Sequence, residues 1–179
     1  VIKFASEVHD SVLNWFTGVA FNNDNDIWLT NKNHGLMHYD GSRLWEKYFP
    51  YESRFDQGNL YNCVTIADDA IWFGHIIKYY SAMVGLSTYK NNTFDKSTYI
   101  AFWGKDVFNI TIKNGNEKWV ASSEGLFVFD DYQNRKVYTR ANTPLKTDRI
   151  MDVAIDSKGD AWVATYGAGL YRFKVTELK

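Results

Sequence analysis

A tryptophan, a short gap, a Gly-Leu pair and an aromatic recur four times along this chain, and that recurrence limits the fold more than any other feature. The anchors are Trp28, Trp72, Trp119 and Trp162, spaced by 44, 47 and 43 residues. Each is followed by a Gly-Leu pair: Gly35-Leu36, Gly85-Leu86, Gly125-Leu126 and Gly169-Leu170. The units end on Tyr39, Tyr89, Phe129 and Phe173. A unit this short cannot bury its apolar face alone, so stacked neighbours must bury it.

Within each unit the pattern reads as four short strands. Stretches such as "VFNITI" and "IMDVAI" alternate apolar with small or polar residues, which is the two-residue period of a strand. Polar turns follow ("NNDND", "ADD", "KNGNE", "DSKGD"), then the tryptophan strand, then a strand opening at Gly-Leu. "RLWEKYF", "NTFDKSTYI" and "RKVYT" supply a fourth. Four strands at a period near 40–45 residues are the signature of a β-propeller blade. The expected fold is all-β: one propeller domain over 1–179, with four blades of four antiparallel strands at about 5–50, 51–99, 100–139 and 140–179. The last repeat stops after its third strand, and "VIKF" at the other terminus reads as a fourth strand. Residues 1–4 are therefore expected to close the last blade and remove an exposed edge.

Composition narrows the function. A net charge of −1 argues against nucleic acid, which normally requires a basic patch. No run of eighteen apolar residues exists to insert into a membrane. The start "VIKFASEVHD" has neither a basic nor an apolar leader region, so the chain is either cytosolic or shown after removal of a signal peptide. The single cysteine, Cys63, has no intrachain disulfide partner and reads as a small buried hydrophobe. The acidic turns do not match a calcium-loop pattern and read as hairpin turns, so no metal and no cofactor is expected.

"GDAWVATYGAGLYRF", "NEKWVASSEGLFVF" and "NDIWLTNKNHGLMHYD" resemble the two-component regulator propeller repeat, a D-G-x-x-W-x-G-T segment followed by G-L-x-x-Y/F. The resemblance covers nearly the whole chain. It implies a sensor-type propeller, periplasmic or extracellular, of the kind that helps bacterial hybrid histidine kinases detect oligosaccharides. Many more blades, a transmembrane helix and kinase domains accompany the repeat in those sensors. The glycine two residues after the tryptophan is kept here only as Gly74; Thr30, Ala121 and Ala164 replace it elsewhere.

Binding residues on a regular scaffold concentrate in its irregular loops. The gaps from Trp to Gly are 7, 13, 6 and 7 residues, so the second repeat carries an insertion, "HIIKYYSAM", with His75, Tyr79 and Tyr80. Blade connections add Trp15, Phe16, Tyr51, Phe55, Phe102 and Trp103, which belong to the same face of a propeller. The expected ligand site is that face, around His34, His75, Tyr79, Tyr80, Trp103 and Tyr166, with Asn31, Lys32, Asn33 and Glu124 as polar groups. Aromatic surfaces of this kind suit a small saccharide or a peptide. The repeat tryptophans and the glycines Gly35, Gly85, Gly125 and Gly169 are expected to be structural, packing blade on blade. A scaffold that docks another protein, or its own copy as a dimer rather than a monomer, is the alternative. An enzyme is the lesser reading: "NWFTG" and "IWFG" resemble virginiamycin-lyase-type propellers, and His34 and His75 fall in adjacent second-to-third strand loops. Such a pair would serve a lyase or hydrolase. No H-E-x-x-H, G-x-S-x-G or P-loop accompanies them.

Overall fold

The computed structural model describes residues 15–22, 26–32, 35–42, 44–48, 59–67, 69–77, 85–95, 102, 104–130 and 135–174. Among them are fifteen strands and no α-helix. The first sheet is β1 (Phe16–Phe21), β2 (Ile27–Asn31), β3 (Gly35–Tyr39) and β4 (Leu44–Tyr48). The second is β5 (Asn59–Ala67), β6 (Ala70–Ile77), β7 (Leu86–Lys90) and β8 (Thr93–Asp95). The third is β9 (Val107–Lys113), β10 (Glu117–Ser122), β11 (Gly125–Phe129) and β12 (Arg135–Tyr138). The fourth holds three strands, β13 (Ile150–Ile155), β14 (Ala161–Thr165) and β15 (Gly169–Phe173). In every sheet consecutive strands pair antiparallel in chain order.

Successive sheets stack through their first strands. β5 lies on β1 and β2, β9 on β5 and β6, and β13 on β9 and β10. Strand alternation assigns the two faces of each sheet. One face carries the repeat Trp and the Leu of Gly-Leu: Trp28 and Leu36, Trp72 and Leu86, Trp119 and Leu126 are all buried against the following sheet. The other face offers apolar residues on the first strand, Val64 and Ile66, then Ile110 and Ile112, then Val153 and Ile155. Each joint is also pinned by a side chain donating to the next sheet's backbone. Thr17 Oγ1 reaches the Tyr61 carbonyl at 2.8 Å, Asn62 Nδ2 the Phe108 carbonyl at 3.0 Å, and Thr111 Oγ1 the Val153 carbonyl at 2.6 Å.

Two glycines show why that residue is needed at the joints. A Cβ on Gly74 would run into Val107 and Cys63 Sγ, and one on Gly85 into the Lys105 backbone carbonyl. Gly85 thus serves close approach, whereas Gly35, Gly125 and Gly169 stand at φ 81°, 125° and 85°, where a side chain is strained.

The fourth repeat departs from expectation. Trp162 is 37 % exposed and Leu170 62 %, although their three counterparts are buried. The expectation that all four tryptophans pack blade on blade fails here because, among the described residues, no further sheet covers this face. At the other end Val19 and Phe21 on β1 are exposed in the same way. Among the described residues the four sheets form an open arc, and the closed four-blade ring that was expected is not seen. Pairing of residues 1–4 with the last blade falls outside the described residues. No described helix is long and apolar enough to cross a membrane.

Candidate functional site

The loop-rich end of the arc is built where each first strand begins and each second strand ends. A β-bulge marks this place in all four sheets, between Phe16 and Gly18, Tyr61 and Cys63, Val107 and Asn109, and Ile150 and Asp152. Bulges of this kind re-aim neighbouring side chains. In three sheets the backbone is tied just beyond the bulge. The N–H groups of Lys32, Ser123 and Tyr166 donate at 2.9 Å to the carbonyls of Trp15, Asp106 and Arg149.

Those ties bring side chains into cation–aromatic pairs. The Lys32 ammonium sits 4.8 Å from the Trp15 ring centroid in the first sheet. In the fourth, the Arg149 guanidinium lies 4.9 Å from the Tyr166 ring and 5.3 Å from that of Phe108 in the third. The Lys105 ammonium is paired with Glu124 at 3.2 Å. Trp15 and Tyr166 remain largely in solvent. The result is a rim of flat apolar rings beside fixed charges, which supplies both stacking area and orienting hydrogen-bond donors.

Of the expected site residues, Lys32, Glu124 and Tyr166 lie on this rim. His34, Asn33, Tyr79, Tyr80 and Trp103 lie outside the described residues, as do Tyr51 and Phe55. His75 is a correction. It belongs to β6 rather than to a loop, is 2 % exposed, and shares a hydrogen bond with Ser87 Oγ at 2.9 Å. The rings of Tyr61 and Phe73 pack edge-on against it, at 4.6 and 5.3 Å. The apparent loop insertion is shorter than the sequence gap because Ile76 and Ile77 extend the strand beyond the place where its counterparts end. Asn31 is likewise buried, at the end of β2. Phe102 is a core plug against Phe127, with ring centroids 4.6 Å apart.

Asn31 and His75 share a place with Ser122 and Thr165, three residues after each repeat tryptophan. The last two donate across their own hairpins, Ser122 Oγ to the Gly125 carbonyl at 2.8 Å and Thr165 Oγ1 to the Gly169 carbonyl at 2.7 Å. This polar position caps the turn into the third strand, and its periodicity was visible in the sequence. Arg149 and Lys105 were missed. The signal for Arg149 was its place immediately before a first strand, the place Trp15 and Asp106 hold.

The opposite end is made of tight turns. Asp156 Oδ1 accepts the N–H groups of Lys158 and Asp160 at 2.9 and 3.0 Å, and its Oδ2 accepts Trp162 Nε1 at 3.0 Å. The indole bond, followed by the two backbone bonds and the Arg172 charge, holds the Asp156 carboxyl below its ordinary range. Trp72 and Trp119 are pinned in the same way, to the Ala67 carbonyl at 3.2 Å and to Glu117 Oε1 at 2.6 Å. Among the described residues no three His, Cys, Asp or Glu side chains are grouped to hold a metal ion. Cys63 is a buried free thiol at the joint of the second and third sheets, and desolvation pushes its pKa up to about 12.

Solved structures with the same arrangement include the extracellular domain of a hybrid two-component system from B. thetaiotaomicron, at TM-score 0.72 and 18% identity. That match covers 97% of this chain and 23% of the other. This chain has a propeller-type fold. A second B. thetaiotaomicron hybrid two-component extracellular domain matches at TM-score 0.68 and 18% identity, over 88% of this chain and 21% of that one. Virginiamycin B lyase from Staphylococcus aureus matches at TM-score 0.59 and 14% identity, over 90% of this chain and 56% of the lyase. The chain therefore spans about a fifth of the two sensor domains. No family model matches it, and no curated protein does.

Proposed function

We propose that this chain is a non-catalytic, sensor-type propeller module of the two-component regulator propeller family, which binds a saccharide or peptide on its loop-rich face outside the cytoplasm. The observation that carries this reading is the rim of exposed rings and fixed charges formed by Lys32 on Trp15 and Arg149 on Tyr166. Sugar rings and peptide side chains both present apolar faces to stack on such rings and polar edges for the adjacent cations to engage. Support for the compartment comes from the two sensor neighbours, which are extracellular domains. Support for a binding role over catalysis comes from His75, whose imidazole is buried between aromatic rings and away from solvent. Blades at about 5–50, 51–99, 100–139 and 140–179 remain the proposed organisation.

The test is a thermal-shift panel of oligosaccharides and short peptides against the whole chain and the variants Tyr166→Ala and Arg149→Ala. A ligand that binds the folded state raises the melting temperature by mass action. The expected result is a saccharide or peptide whose shift disappears in both variants. A ligand whose shift survives both but is lost on changing Asp156 at the tight-turn end would overturn the site.

A further inference from the structure

Arg149 stands immediately before β13, at the internal joint of the third and fourth sheets. Its backbone is fixed on both sides: its N–H donates to Thr147 Oγ1 at 3.2 Å, and its carbonyl accepts the Tyr166 N–H at 2.9 Å. Its guanidinium lies over two rings, Phe108 of the third sheet and Tyr166 of the β14–β15 turn. Phe108 is the extra residue of the β9 bulge, skipped between the pairs Ser122–Val107 and Ala121–Asn109. The bulge is what turns a first-strand ring towards the next sheet. Two other cations of this end are neutralised, Lys105 by Glu124 and Arg140 by Asp148, each at 3.2 Å. Arg149 is exposed, and among the described residues no carboxylate pairs with it. The acids nearest in sequence are engaged elsewhere: Asp148 holds Arg140, and Asp152 Oδ1 accepts the Val153 N–H at 2.8 Å.

We infer that the ligand of this rim carries a carboxylate, held by the Arg149 guanidinium beside the Tyr166 ring. The inference rests on the binding role proposed above and adds the charge of the ligand to it. An arginine stacked on rings keeps its N–H edges for other partners, and its planar fork matches a carboxylate with two parallel hydrogen bonds. A neutral hydroxyl accepts fewer of those bonds and leaves the charge uncompensated. Contact with two rings from two sheets also orients the fork before the ligand arrives, so less freedom is lost on binding. The ligand class that unites both features has an anionic edge next to an apolar face. A uronic-acid unit of a saccharide has that form, and so has an acidic peptide.

The experiment is titration calorimetry on the whole chain with matched pairs of probes. Uronic-acid oligosaccharides are paired with their neutral methyl esters, and aspartate peptides with their asparagine forms. The variants are Arg149→Gln, Arg149→Lys, Tyr166→Ala and, as a paired cation of the same end, Arg140→Gln; circular dichroism checks that each is folded. A charged probe is expected to bind at least about tenfold more tightly than its neutral counterpart, as loss of a charge-assisted bond implies. That preference should vanish in Arg149→Gln, fall part-way in Arg149→Lys, which keeps the charge without the fork, and persist in Arg140→Gln. Which charged probe binds identifies the source of the carboxylate. Neutral probes that bind as tightly as charged ones, with binding lost in Tyr166→Ala but kept in Arg149→Gln, overturn the inference and leave the binding role standing. A preference that Arg140→Gln abolishes equally also overturns it, because the charge of the whole end would then be responsible. Binding by no probe, charged or neutral, overturns both.

Discussion

Trp119 on β10 and Trp162 on β14 hold the same place in successive repeats, and each donates its indole N–H to a carboxylate of its own hairpin. Both also carry a cation over the ring, Lys113 at 5.3 Å and Arg172 at 5.4 Å. Yet Trp119 is 2 % exposed and Trp162 37 %. The difference lies in the neighbour and not in the motif: Ile150, Val153 and Val163 of the fourth sheet pack into the cluster that buries Trp119. Local hydrogen bonds hold an indole in position, and only a following sheet removes it from water. Energies should divide accordingly, because apolar burial rather than the turn bond dominates the contribution of such a side chain.

Trp119→Ala tests the buried side of the comparison and should have the largest effect. Emptying a closed aromatic site typically costs about 3–5 kcal/mol. Urea denaturation should show that loss as a lower midpoint with little change in slope. A loss as small as about 1 kcal/mol would mean that the joints are not what holds the arc together.

A second inner-joint probe is Cys63, whose thiol is raised from 9.0 to about 12 by burial between the second and third sheets. An acid whose folded pKa lies above its unfolded value contributes stability that is whole below the unfolded pKa. That contribution is lost as pH rises from about 9 towards 12. Native protein should therefore resist thiol reagents, and unfolding in mild alkali should become easier by a component that Cys63→Ala lacks. Reaction of Cys63 at the rate of a free peptide thiol in native protein would show the joint to be open.

Trp162→Ala probes the exposed side. With part of its surface already in water, its removal should cost roughly 1–2 kcal/mol by denaturation of the single chain. A cost equal to that of Trp119→Ala would mean the face is covered in solution.

These contrasts also show what the sequence disclosed. The repeat period, the strand order and the structural role of Trp28, Trp72 and Trp119 were legible, because strand alternation and turn chemistry are local. The exposure of Trp162 and Leu170 was not, since the letters "AWVATYGAGLYRF" are as good as any other repeat. Burial depends on what lies across the joint. The candidate rim was half legible for the same reason. Lys32, Glu124 and Tyr166 follow the second strand, and that position alone places them at the loop-rich end. Arg149 and Lys105 reach the rim only because backbone bonds tie the start of a first strand to the end of a second. His75 was misassigned because a long gap between Trp72 and Gly85 reads as loop, whereas Leu60 and Tyr61 keep the strand paired through Ile76 and His75.

The smallest effect belongs to Asp156, which holds Trp162 on the exposed side. Its carboxyl is lowered first by the Trp162 indole bond, then by the N–H groups of Asp160 and Lys158 and the charge of Arg172. A carboxyl with a folded pKa below its unfolded value adds stability above the unfolded pKa, and that stability fades as pH falls through the folded one. Because Asp156 lies in a surface turn, half-buried and open to water on one side, solvent screens the contribution and the change in melting temperature should be slight. The local signal is larger than the thermodynamic one. On acidification the Trp162 indole N–H resonance should shift with a midpoint below the ordinary 3.8, while those of Trp72 and Trp119 do not follow it. Asp156→Asn should remove the transition without unfolding the fourth sheet. A Trp162 resonance that titrates unchanged in that variant would mean that the indole answers to another group, and that local pinning does not compensate for the missing neighbour.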